Sequence, residues 1–97
     1  DLDKVISILK GSKTDMPQNW NRRYRINMDK IKSGDIFEIA VVVRNLLKMD
    51  MEKGLSTGEK KMLSSAKQML LSEMVLVSEY DMEKIEELIV EAVTNND

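Results

Sequence analysis

The stretch that decides the fold is Asp35-Ile36-Phe37-Glu38-Ile39-Ala40-Val41-Val42-Val43-Arg44-Asn45-Leu46-Leu47-Lys48-Met49-Asp50-Met51-Glu52-Lys53. Its β-branched residues would suit a buried strand by propensity alone. Three observations favour a helix. Ile36, Ile39, Ala40, Val43, Leu46 and Leu47 keep helical spacing throughout. The segment fills the interval between Gly34 and Gly54, too long for one strand. No second run of strand character exists to pair with it. With this segment helical, the expected fold is all-α, a compact bundle of about five helices.

Working outward toward the N-terminus, a first helix is expected from Leu2 to about Lys10, with Leu2, Val5, Ile6 and Leu9 on one face and Gly11-Ser12 as its stop. A second helix starts near Pro17 or Asn19, since proline suits a first helical position and asparagine is a good cap. Trp20, Tyr24, Asn27, Met28 and Ile31 share one of its faces, with Arg22, Arg23, Arg25, Lys30 and Lys32 around the rest. Working toward the C-terminus, Ser56-Thr57-Gly58-Glu59 has capping-box spacing. Ser56 is expected to accept from the Glu59 amide and Glu59 to reach back. The fourth helix then turns Met62, Leu63, Ala66, Met69, Leu70 and Val77 inward and ends near Glu79. Asp81 caps a fifth helix to about Val93, with Met82, Ile85, Leu88, Ile89 and Ala92 inward, and Thr94 to Asp97 are expected to fray.

Composition narrows the function. Ninety-seven residues make one domain. With 42% hydrophobic and 33% charged residues, the chain is too apolar for a disordered acidic tail. No cysteine is present, which excludes disulfides and thiol chemistry and suits a reducing cytoplasm. No histidine is present either, removing the commonest general base and zinc ligand. Glu83, Glu86, Glu87 and Glu91 fall largely on the exposed side of the fifth helix and read as a solvated face. The expectation is a cytoplasmic protein that is not an enzyme, with no cofactor, metal site, membrane span or small-molecule substrate. The chain starts at Asp1 and already looks structured from Leu2, so a fragment of a longer protein is expected.

The net charge of −2 conceals an asymmetry. Residues 1–34 carry a net of +4, residues 35–71 a net of +1, and residues 72–97 a net of −7. Because salt screens beyond about 8–10 Å, the basic half can bind a polyanion while the acidic end points elsewhere.

Trp20 has two readings. It shares a face with Tyr24 and Ile31, which suits a core anchor. It also sits in the first turn, directly before Asn21-Arg22-Arg23-Tyr24-Arg25, and an aromatic beside dense cations suits a nucleic-acid surface. Cations at a helix N-terminus cost about 0.3–1 kcal/mol each, yet Arg22 and Arg23 open the second helix, as Lys60 and Lys61 open the fourth. Solvation or a bound phosphate would each offset this. Among the methionines, Met28, Met62, Met69 and Met82 lie on inferred core faces, where gap-filling explains them.

Four blocks, Pro17-Gln18-Asn19-Trp20-Asn21-Arg22-Arg23-Tyr24-Arg25, Lys32-Ser33-Gly34-Asp35, Val42-Val43-Arg44-Asn45-Leu46 and Glu52-Lys53-Gly54-Leu55-Ser56-Thr57-Gly58-Glu59-Lys60, resemble the C-terminal helical domain of the CarD/CdnL bacterial transcription regulators. The resemblance implies two partners. One is RNA polymerase, bound by an N-terminal Tudor-like domain absent from this sequence. The other is promoter DNA, bound by the helical domain. It implies that Trp20 enters the minor groove at the upstream edge of the transcription bubble and props the open promoter complex. Arg25 and Lys60 would hold the phosphate backbone, and Arg22 and Arg23 match the family pattern too. Lys61 joins the expected phosphate contacts as a neighbour of Lys60 in the same helix opening. Met49 stands where relatives more often have a basic residue, which would thin one edge of the DNA surface. Some relatives have lysine at Arg25, and either can hold a phosphate. The alternative is a helical protein–protein interaction domain that docks a partner through its acidic fifth helix or its methionines, with no direct DNA contact.

Overall fold

The computed structural model describes residues 2–94, and five helices follow one another along them: α1 (Leu2–Leu9), α2 (Trp20–Lys32), α3 (Ile36–Lys53), α4 (Thr57–Val77) and α5 (Met82–Thr94). No strand occurs among the described residues. The expected all-α fold is what the chain adopts.

The deciding stretch is the central helix. α3 packs against α1, α2, α4 and α5. Val42, Val43, Arg44, Asn45 and Leu46 are buried in succession, which a one-sided surface helix does not allow. Valine and isoleucine lose less than about 0.7 kcal/mol each in helix propensity. Full burial of such a side chain returns about 1.5–3 kcal/mol. Tertiary packing therefore overrides the β preference of the run. The ends are set locally: the Asp35 side chain accepts from the Phe37 amide at 2.9 Å, and Gly54 leaves the helix at φ 81°.

Some inward assignments need correction. Met69, Val77 and Met82 are exposed, whereas Leu71, Met74 and Val93 are buried. From Met69 to Val77 most of α4 is apolar on every side, so periodicity cannot pick a face there. The core is instead lined by Met62, Ala66, Leu70 and Met74, four residues apart. Met82 opens α5 and points past the edge of the core. Met49, expected at an edge of the DNA surface, is buried. Of the segment expected to fray, residues 95–97 lie outside the described residues, while Thr94 ends α5.

The turn between α1 and α2 is tied onto α3 by side chains. Asn45 Nδ2 donates to Thr14 Oγ1 at 2.7 Å, Lys48 Nζ to the Gly11 carbonyl at 3.1 Å, and Arg44 Nη1 to the Ile8 carbonyl at 3.1 Å. These bonds fix where the chain re-enters as α2, and hence where Trp20 stands.

Candidate nucleic-acid interface

Trp20 is the first residue of α2, because Asn19 caps the helix by accepting from the Arg22 amide at 2.9 Å. One turn on, Tyr24 stacks against it, with ring centroids 4.9 Å apart and planes inclined by 23°. The indole reaches across to the start of α4, where Nε1–H donates to Ser56 Oγ at 2.8 Å. Its six-membered ring lies against Gly58, where an added Cβ would come within 3.3 Å of Trp20 Cζ2. The ring nevertheless stays 40% exposed. The two readings of Trp20 thus resolve to an immobilised side chain at the rim, outside the core.

Ser56 satisfies its hydroxyl completely. It accepts from the Glu59 amide at 3.2 Å and from Trp20, and donates to Glu59 Oε1 at 3.2 Å. The Glu59 carboxylate also reaches back to Ser56, to its backbone as well as its hydroxyl, as the capping box requires. The same carboxylate takes Arg23. Arg23 Nε donates to Oε2 at 2.7 Å and Nη2 to Oε1 at 3.1 Å. Nη1 donates to the carbonyls of Pro17 and Gln18. Both partners of this fork are buried. Hydrogen bonding to Arg23 holds the Glu59 carboxyl below the usual carboxylate range, against the opposing effect of burial. The same bond raises the Arg23 guanidinium above its ordinary value.

This placement corrects the expectation for Arg23. Its charge at a helix N-terminus is answered from within, by Glu59, and its donors already point at protein oxygens. It is a strut between α2 and α4, with no free edge for a phosphate. Arg22, Arg25, Lys60 and Lys61 differ. All four are exposed, and none forms an ion pair among the described residues. Arg22 and Arg25 turn to the side of α2 away from the face that Trp20 and Tyr24 share. Lys60 and Lys61 stand in the opening turns of α4. Cations therefore occur on both helices that frame the indole. Lys53, exposed in the last turn of α3 and also outside any ion pair, lines a groove with Arg23, Pro17 and Met49 and was not singled out from sequence.

Sequence reasoning also passed over Gly58 and the role of Ser56 beyond capping. A signal for Gly58 existed: glycine is a poor helix former, and here it occupies the second position of α4. For Ser56, the capping role concealed the tryptophan contact.

The acidic side chains Glu83, Glu86, Glu87 and Glu91 are exposed along α5. Among the described residues no helix is long and apolar enough to cross a membrane.

The architecture is thus a small helical domain with one aromatic ring held at a helix-start corner and exposed cations on the helices around it. The chain belongs to the CarD family: the sequence model of the CarD C-terminal domain matches residues 4–90. It is 43% identical over 76 residues to a Bacillus subtilis (strain 168) protein named "Putative transcription factor YdeB", covering 78% of this chain. The chain corresponds to about half, 50%, of that relative's length.

Proposed function

We propose that this domain is the DNA-binding module of a bacterial transcription regulator that stabilises the open promoter complex. Trp20 is its wedge in the minor groove at the upstream bubble edge. Arg22, Arg25, Lys60 and Lys61 are its phosphate contacts, and Arg23 braces the corner from inside. The observation that carries this reading is the exposed indole on a built platform, with unpaired cations on both framing helices. The transcription-factor name of the Bacillus subtilis relative supports the same direction. In this reading contact with RNA polymerase belongs to an N-terminal domain outside these residues.

The energetics favour a particular DNA. Wedging unstacks a base step at a cost of a few kcal/mol, while stacking on an aromatic returns about 1–3 kcal/mol per base. A closed duplex leaves little surplus, and a fork whose bases are already parting removes most of the cost. Titrating fork-junction DNA into the domain at low salt, with the emission of its single tryptophan followed, tests the reading. Quenching, weaker binding by Trp20→Ala and Arg25→Ala, and a log K against log salt slope of about −4 for four phosphates are expected. An indole signal indifferent to DNA, with binding unaltered in Trp20→Ala, removes the wedge.

A second reading, a protein-docking domain, rests on Leu76, 79% exposed, and on exposed Val77, Tyr80 and Met82 where α4 passes to α5. Absence of any DNA binding at low salt would move it to first place.

A further inference from the structure

We propose that Ser56 and Gly58, at the start of α4, are positioning residues that preset Trp20 as a one-sided wedge, blind to base identity. The inference rests on the wedge reading above and adds what decides the ring's orientation and selectivity.

Three contacts act on one side chain. Tyr24 covers one face of the indole. Ser56 takes its N–H, the group through which a tryptophan could hydrogen-bond a base edge. Gly58 lets the six-membered ring pack closely, since a Cβ there would lie 3.3 Å from Cζ2 and the ring would have to give by a few tenths of an ångström. Stacking needs only a ring face, and every base has one. An indole with its N–H already bound and one face already stacked offers a base the remaining face and nothing to read sequence with. Fixing the ring beforehand also means that its ordering cost is met during folding and not during binding. The platform itself is stiff, because the buried Arg23–Glu59 fork ties α2 to α4 one residue beyond Gly58.

The test is a double-mutant cycle on the 97-residue chain, with labelled fork-junction DNA read by anisotropy. Alongside it, hydrogen exchange of the Trp20 indole N–H is followed by NMR without DNA. In Ser56→Ala the indole proton should exchange at least about tenfold faster, and affinity should fall roughly three- to tenfold. Ser56→Thr, which keeps the hydroxyl and the cap, should restore both. In a Trp20→Ala background, Ser56→Ala should cost no further affinity. Gly58→Ala separates positioning from mere stability. Alanine is the better helix former, so the thermal midpoint should not fall, whereas affinity should drop as the new Cβ displaces the ring. Equal losses from Ser56→Ala with and without Trp20 overturn the positioning role and leave the wedge standing. An affinity unchanged by Trp20→Ala overturns the wedge itself. Restored discrimination between A·T and G·C forks in Ser56→Ala would support the blindness assigned to the occupied N–H. Strong discrimination already present in the unmodified chain would refute it.

Discussion

Two buried arginines occupy the interior of this domain and are accommodated in opposite ways. Arg23 meets a carboxylate in a forked pair with Glu59, and its guanidinium is raised. Arg44 is bonded to neutral oxygens, the Ile8 carbonyl at 3.1 Å and Asn45 Oδ1 at 3.2 Å, and burial lowers its guanidinium. It also fits against Gly11, where a Cβ would lie 3.1 Å from Nη1. The difference teaches what each does. Arg23 stands beside Trp20, where Glu59 pairs its charge and leaves a strut between α2 and α4. Arg44 stands under the turn between α1 and α2, where it adds a second donor to the Ile8 carbonyl and to Asn45 Oδ1, which already accept from the Gly11 and Thr14 amides. In the proposed reading neither touches DNA, so the phosphate contacts fall to exposed cations.

The contrast can be broken by mutation. The largest effect is expected for Glu59→Ala, which strands the Arg23 charge. Urea denaturation should show a loss of about 3 kcal/mol, the low end for a broken buried pair because this one lies just below the surface. Replacing both partners, Arg23→Met with Glu59→Leu, should recover most of it. If the double variant stays as unstable as the single one, the pair does more than fill space. Arg44→Ala should come next, at about 2 kcal/mol, from the lost bonds to the Ile8 carbonyl and Asn45 Oδ1 and the space left beside Gly11. The folded fraction should bind fork DNA as before. A weakened affinity there would show that the turn beneath α2 tunes the site.

Acid sharpens the same comparison, because Arg23 has a titrating partner and Arg44 has none. The Glu59 carboxyl is held low in the folded chain, while the unfolded chain takes up that proton near the ordinary value of about 4.3. The unfolded state therefore binds more protons in this window. The contribution of the pair is complete above about 4.3 and is lost as pH falls through the depressed folded value. Exposed Glu52, lowered by Lys13, titrates in the same window. Denaturation profiles of Glu59→Gln and the unmodified chain isolate the buried pair: Glu59→Gln should flatten the acid limb. The smallest stability effects belong to Arg22→Ala, Arg25→Ala and Lys60→Ala, within about 0.5 kcal/mol. Each should lower the magnitude of the salt slope of DNA binding by about 1.

Much of this was legible in the chain. Four of the five helices have recognisable start signals, and Asn19, Asp35, Ser56 and Asp81 all cap as their residue types dictate. Legibility failed where local pattern is degenerate. The nearly continuous apolar run late in α4 permits several faces, and only contact with α3 and α5 selects Leu71 and Met74 over Met69 and Val77. It failed also for Arg23. In sequence this arginine is one of three in a four-residue span, and nothing local distinguishes the buried one from its exposed neighbours.

The sequence by itself determined the five helices and their ends, the all-α class, the family, and the concentration of cations in the first two thirds of the chain, because caps, periodicity and charge order are local properties. The tertiary structure alone decided which arginine is a strut and which are free, and that Trp20 is pinned at the rim. Those outcomes depend on Glu59, Ser56 and Gly58, which lie more than thirty residues away and meet α2 only when α4 packs beside it.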